Sequence, residues 1–191
     1  MNYAPLSAFL LAGGASSRMG RDKALIEFEG KPLLVRLATM LRSLAGDVTI
    51  LAPAGRYESF GYKVLPDRRA NCGPLSGIET ALRHSGHPWV LILACDLAHV
   101  TPEWLATVAS HARPGLDVIT SGDNPLCALW NISALPAVSA ALDSGQFRVR
   151  SLVASLKSEN LIPPDPGILA NWNRPEDLPP FFGERKANRG G

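Results

Sequence analysis

Short runs of consecutive apolar residues alternate along this chain with longer stretches in which apolar positions recur every three or four residues. These are the two patterns of buried strands and amphipathic helices. Residues 7–11 (SAFLL), 48–51 (VTIL), 62–65 (YKVL) and 117–120 are predicted as strands. The run 89–94 (WVLILA) reads as the central one, because an unbroken apolar stretch suits a strand covered on both faces. A helix opening at Lys31-Pro32 is predicted by proline at an initial helical position and by one stripe of Leu33, Leu34, Leu37, Leu41 and Leu44, with Gly46 as its stop. Further helices are expected over 75–84, from the cap-then-proline signal Thr101-Pro102-Glu103 through Trp104, Leu105, Val108 and Ala109, and over 135–142 and 149–156. After Asn124 the alternation loosens around a strand at 127–130, and 163–167 (PPDPG) reads as an exposed connection. Strand and helix in alternation predict a three-layer α/β fold on a mainly parallel sheet.

A chain of 191 residues with 46% hydrophobic composition can bury a proper core. Its length favours one domain, taken as residues 1–182, with the charged and glycine-rich 183–191 as a disordered tail. The formal net charge of +2 excludes a general nucleic-acid or membrane binder and leaves room only for local basic clusters. Cys72, Cys95 and Cys127 are odd in number and lack CxxC spacing, which points away from disulfides and zinc and toward a reducing cytoplasm. No signal peptide and no membrane span are expected, so the chain reads as soluble. His84, His87, His99 and His111 have no metal spacing and read as solvent-facing, and Cys95 reads as a packed small side chain.

Chemistry concentrates in residues 11–25, LAGGASSRMGRDKAL. Directly after an apolar strand, Gly13, Gly14 and Gly20 let the backbone turn tightly and bring its N–H groups toward an anion. Arg18 can grip two phosphate oxygens through its planar fork, and Lys23 adds a compact point charge. The segment is neither a P-loop nor a GxGxxG fingerprint. A second candidate is Asp96, just beyond the end of the central strand, where open α/β sheets bind ligands. Its carboxylate suits Mg²⁺, which takes few protein oxygens beside phosphate; the plainer alternative is a cap on the next turn.

The segment resembles the signature of the nucleotidyltransferases that include molybdenum cofactor guanylyltransferase. Leu11, Ala12, Gly13, Gly14, Ser17, Arg18, Met19, Gly20, Asp22 and Lys23 match it, and matches continue to about Leu178. The resemblance implies a Rossmann-like nucleotidyltransferase fold, a nucleotide held by Leu11, Ala12, Gly13, Gly14, Arg18 and Lys23, and Asp96 as metal ligand. It also implies nucleotide contacts from Asp67 and from the GPLSGI stretch, with Gly73, Pro74 and Leu75 beside the base. On the residues alone, Asp67 could be a turn residue, and Gly73 and Gly77 could simply shape a helix start. Asn124, Pro125, Asn171 and Asn173 fall on two later family motifs near the acceptor pocket; the second could equally be a capped helix start. Three positions depart from the family: Ala52 stands where relatives often carry an asparagine, Ala98 where they carry proline, and Arg174 replaces a threonine.

The reaction implied is transfer of GMP from GTP to molybdopterin or its molybdenum-bound form, with release of pyrophosphate, catalysed by Arg18, Lys23 and Asp96 with Mg²⁺. Contact with other molybdenum cofactor proteins and action as a monomer are expected. Cytidylyl relatives read Ala-Ala-Gly where this chain has Ala12-Gly13-Gly14, and Gly-His-Pro where it has Asp123-Asn124-Pro125, so guanine is favoured over a CTP-dependent or sugar-phosphate reaction. A non-catalytic GTP-binding protein would not need Arg18, Lys23 and Asp96 together.

Overall fold

The computed structural model describes residues 4–13, 22–28, 30–122 and 124–172. In chain order the elements are β1 (Leu6–Leu11), a 3-10 turn (Lys23–Leu25), β2 (Glu27–Phe28), β3 (Lys31–Pro32), α1 (Leu33–Ala45), β4 (Val48–Leu51) and β5 (Lys63–Leu65). They continue with α2 (Pro74–His84), β6 (Trp89–Ala94), α3 (Pro102–Ser110), β7 (Val118–Ser121), β8 (Asn124–Asn131), α4 (Leu135–Asp143), α5 (Val149–Val153) and β9 (Ser158–Leu161). Seven strands form one sheet in the order β5-β4-β1-β6-β8-β7-β9, while β2 and β3 pair separately. Every pairing from β5 to β6 is parallel, and β7 pairs β9 in parallel; β8 alone runs against its two neighbours. The sheet is therefore mainly parallel, as the alternation predicted.

Alternation along the strands sorts the core into two layers. Leu6, Ala8 and Leu10 of β1 and Leu91 and Leu93 of β6 face one side, packed with α1 and α3. Phe9, Val90 and Ile92 face the other, with α2, α4 and α5. Both faces of β6 are buried, which explains its continuous apolar run. In α1 the predicted stripe is the buried face, and Gly46, at φ 74, closes the helix by donating its N–H to Arg42 O at 3.0 Å. Thr101 caps α3 by accepting from the Trp104 N–H at 3.2 Å.

Three elements depart most from their expected bounds, and one strand, β9, was not expected. Lys31-Pro32 does not open the helix: Pro32 is extended (ψ 136), both residues pair with β2, and the Leu33 N–H bonds Ile26 O, so the helix begins at Leu33. The strand predicted at 127–130 extends back to Asn124, with Pro125 inside it. A register shift between Thr120 and Ser121 makes room for a residue that cannot donate to the ladder. The helix expected over 149–156 ends at Val153 and gives way to tight turns, with the Leu156 N–H bonding Val153 O. Strand β9 has no apolar run, because it is a polar edge strand anchored by its ladder to β7 and by Glu159, which pairs with Arg113 at 2.7 Å.

A buried carboxylate fixes the loop that follows β5. Glu79 on α2 is fully enclosed and accepts from Arg69 Nε (2.9 Å) and Nη2 (3.1 Å), Arg83 Nη2 (3.1 Å) and Ser139 Oγ (2.9 Å). The Arg68 and Arg69 N–H groups bond Thr80 Oγ1 and Ser76 Oγ, so residues 67–73 lie pinned along α2. Burial alone would raise the Glu79 carboxyl, but the hydrogen bonds from Arg69, Ser139 and Arg83 outweigh it and hold it at about 2, against an ordinary 4.5. A depressed acid contributes stability that is complete above pH 4.5 and is lost as the pH falls toward about 2. Glu79→Gln is expected to lower stability at pH 7 by about 2 kcal/mol and to flatten the decline below pH 4.5. Thermal melts of both proteins across that range check it; parallel declines would remove Glu79 as the group responsible.

Candidate active site

Parallel strands β5, β4, β1 and β6 all end on the same edge, and their trailing residues are laced together. The Ala12 N–H donates to Leu51 O (2.9 Å), Ala52 N–H to Leu65 O (3.0 Å) and Cys95 N–H to Leu11 O (2.9 Å). Above this edge lies a cleft of about 500 Å³. Its walls bring together Leu11, Ala12 and Gly13 after β1, Lys23 and Asp22 from the 3-10 turn, Asp67 after β5, Gly73 and Pro74 at the start of α2, and Asp96 after β6. Residues 73 positions apart in sequence, Lys23 and Asp96, share it.

Charge in the cleft is mixed. Burial raises the Asp96 carboxyl above its ordinary value, and the Lys23 ammonium pulls it part of the way back, which places the two groups within electrostatic reach. Asp67 stands at the cleft mouth; partial burial raises its carboxyl also, and among the described residues nothing donates to it. Space is tight beneath Asp67. A Cβ at Gly77 would sit 3.2 Å from Leu11 Cδ2 and 3.4 Å from Asp67 Oδ1, so the missing side chain lets α2 lie against β1 and the carboxylate. Gly73, at φ 61 and ψ −160, turns the chain into α2 through a conformation open only to glycine. A cleft with a lysine, two carboxylates open to ligand and a row of backbone at a sheet edge can hold a polyanion together with a cation. Asp67 and Asp96 are the carboxylates of the cleft from which a metal could take a ligand.

The loop that bears Asp96 is tied down from two sides. Arg36 of α1 donates to Ala98 O at 2.7 Å, which holds the stretch where relatives often place proline. From the C-terminal side, the Trp172 backbone N–H donates to Asp96 O at 2.9 Å and its indole Nε1–H to His99 Nε2 at 2.8 Å, with the two rings edge to face. His99 is therefore not a solvent-facing residue: it is half-buried, and for Nε2 to accept, its ring proton sits on Nδ1. His111 likewise has a partner, Glu159 at 3.3 Å. Cys95 is buried, and burial pushes its thiol up, as fits a packed side chain.

Other expected positions lie elsewhere. The side chain of Leu75 is fully buried in the core with Phe9 and Ile78 and does not line the cleft, because α2 turns that face onto the sheet. Asn124 and Asn171 meet each other, Nδ2 to Oδ1 at 3.4 Å, beside Leu126, which does line the cleft; Pro125 is half-buried in β8. Ala52 is buried, with only its backbone engaged. Gly14, Arg18 and Asn173 lie outside the described residues, as does the 183–191 tail. The cleft also takes in Asn71 and Cys72, which carry no motif signal, and Trp172 could not be singled out before its contacts were known.

The model of the MobA-like NTP transferase domain matches residues 8–160. A molybdenum cofactor guanylyltransferase from Pseudomonas aeruginosa is 35% identical, the match covering 91% of this chain and 93% of that protein. A protein from Deinococcus radiodurans named "Probable molybdenum cofactor guanylyltransferase" is also 35% identical, over 94% of this chain and 95% of its own. Among solved structures, molybdopterin-guanine dinucleotide biosynthesis protein A from Archaeoglobus fulgidus superposes with a TM-score of 0.73 at 20% identity, covering 90% of this chain and 94% of that one.

Proposed function

Because the chain belongs to the MobA-like NTP transferase family, we propose that it transfers GMP from GTP to molybdopterin, forming the guanine dinucleotide cofactor and pyrophosphate. The observation that carries this reading is the shared cleft, in which Lys23, Asp67 and Asp96 meet at the C-terminal edge of the parallel strands. Such an edge is where open α/β sheets hold nucleotides.

The chemistry asks for alignment and charge neutralisation. A phosphate monoester with a second pKa of about 6 is mostly dianionic at neutral pH, so the acceptor oxygen needs no general base to attack the α-phosphorus. As the new P–O bond forms, the bond to the β-phosphate oxygen breaks and pyrophosphate leaves. Lys23 offsets charge on the polyphosphate, and Arg18 is assigned the same task by its fork of donors. Gly13 and the backbone beside it let the phosphates approach closely, while Asp67 and the start of α2 hold the nucleoside end. A Mg²⁺ held by Asp96 would supply further neutralisation of the leaving pyrophosphate, and a partly buried carboxylate beside bound phosphate oxygens is a donor set that suits it. Asn124 and Asn171 border the same cleft at Leu126 and are proposed for the acceptor, with their amides both donating and accepting.

Pyrophosphate release measured with GTP, CTP and ATP, each with and without molybdopterin, tests the reading. GTP-specific release that needs the pterin is expected. Release with CTP alone, or with a sugar phosphate as acceptor, would reassign the substrates.

A further inference from the structure

Asp22 carries more bonds than a turn cap requires. Its Oδ1 accepts from the Ala24 N–H at 3.1 Å, which caps the 3-10 turn that begins at Lys23. Both carboxylate oxygens also accept from the Tyr57 hydroxyl, at 2.9 and 2.7 Å, and Oδ2 pairs with Arg56 Nη2 at 2.5 Å. Arg56 and Tyr57 come from the loop after β4, on the far side of the first helix in sequence. Neither stood out in the sequence.

We propose that Arg56 and Tyr57 are positioning residues for the phosphate end of the cleft: acting through Asp22, they fix the turn that presents Lys23 and cancel the charge of the carboxylate beside it. The inference rests on the reading of this cleft as a polyphosphate site. Two physical arguments support it. The first is electrostatic. Asp22 lines the same cleft as Lys23, and an uncompensated carboxylate one residue from the lysine would repel the polyanion that the lysine attracts. The Arg56 guanidinium and the phenol together neutralise and occupy it. The second is mechanical. Tyr57 is buried, and its φ of 71 is a left-handed conformation that a bulky aromatic residue adopts only under strain. Such a residue persists where its surroundings determine it from several directions. Here Gly55 N–H bonds Glu58 Oε1 at 2.8 Å and the Arg56 guanidinium lies 5.3 Å over the Tyr57 ring, so the loop is built to aim that hydroxyl. Burial, then the bond to Asp22, pushes the phenol well up, which keeps the hydroxyl a donor throughout the neutral range.

A double-mutant cycle on phosphate binding tests the proposal without base or acceptor. Binding of inorganic tripolyphosphate, with magnesium present, is measured by calorimetry for the full chain, Tyr57→Phe, Lys23→Ala and the double variant. Tyr57→Phe keeps the ring and removes only the donor. It is expected to weaken tripolyphosphate binding by about tenfold in the parent and by less than about twofold when Lys23 is already alanine, since its effect passes through that lysine. Equal losses in both backgrounds, or no loss in the parent, would overturn the proposal, as would a parent protein that does not bind tripolyphosphate. Should Tyr57→Phe fold poorly, Arg56→Gln, at a more exposed position, is taken through the same cycle; repulsion by the bared Asp22 charge then leaves part of the loss in place when Lys23 is alanine, and a loss as large there as in the parent would overturn the proposal. A cycle that holds while pyrophosphate release proves not to be GTP-specific would leave the positioning role standing and remove only the substrate assignment.

Discussion

Asp96→Ala and Lys23→Ala are each expected to reduce nucleotidyl transfer by at least about a hundredfold, the usual cost of removing one group that stabilises developing charge in a closed site. The two losses have different stability signatures. Asp96 is raised by burial, so its ionised form is costly in the folded protein at neutral pH. Asp96→Asn, which keeps the shape and removes the charge, should therefore leave the midpoint of thermal unfolding unchanged or raise it, while turnover collapses. This is the pattern of a residue retained for chemistry against its own stability. Lys23→Ala should also fold, and it removes the larger of the two influences, the other being a backbone hydrogen bond, that draw the Asp96 carboxyl down, so any pH dependence of residual activity should move upward. Steady-state kinetics of pyrophosphate release beside thermal melts decide the matter. Turnover close to the parent level in either variant would take that residue out of the mechanism.

Trp172→Ala is the second large effect, and it is expected to strike stability and activity together. The indole is almost fully enclosed in the layer of the core that includes α1 and α3, and truncating a buried tryptophan costs about 3–5 kcal/mol. For a chain of this size, a loss near 3 kcal/mol lowers the unfolding midpoint by about 6–12 °C. Trp172→Phe separates the two roles: it retains most of the packing and loses the 2.8 Å bond from Nε1 to His99. Its melting point should fall by less, while turnover falls through loosening of the loop that carries Asp96. A phenylalanine variant with unchanged turnover would show that packing alone is what Trp172 supplies. Kinetics at a temperature well below both melting points keep the two effects apart.

Much of this could be read from the order of residues. The strand runs, the leucine stripe of α1 and the cap of α3 are local patterns, set by the rotation of side chains about a helix and their alternation along a strand, and each formed close to where it was predicted. The placement of Gly13 after β1 and of the acid after β6 was legible for a related reason. A strand that ends at a known residue delivers the next residue to the sheet edge, so a motif placed on such a strand is placed in space as well. Polar β9 was not legible, because an edge strand needs no apolar run. Pro32 misled because its fixed φ suits an extended residue before a helix as well as the first residue within one.

By itself, then, the chain's order of residues determined the layers of the fold and the candidates Gly13, Lys23, Asp67 and Asp96. Only the tertiary structure decided which of them share a cleft, that Leu75 turns away into the core, and that Asp22 is gripped by Arg56 and Tyr57 while Trp172 ties down the Asp96 loop. The physical reason is the range of the interactions. Periodicity and capping act over a few neighbouring residues and leave a mark in the sequence, whereas a hydrogen bond between side chains distant in sequence has no period, and exists only once the sheet has brought its ends together.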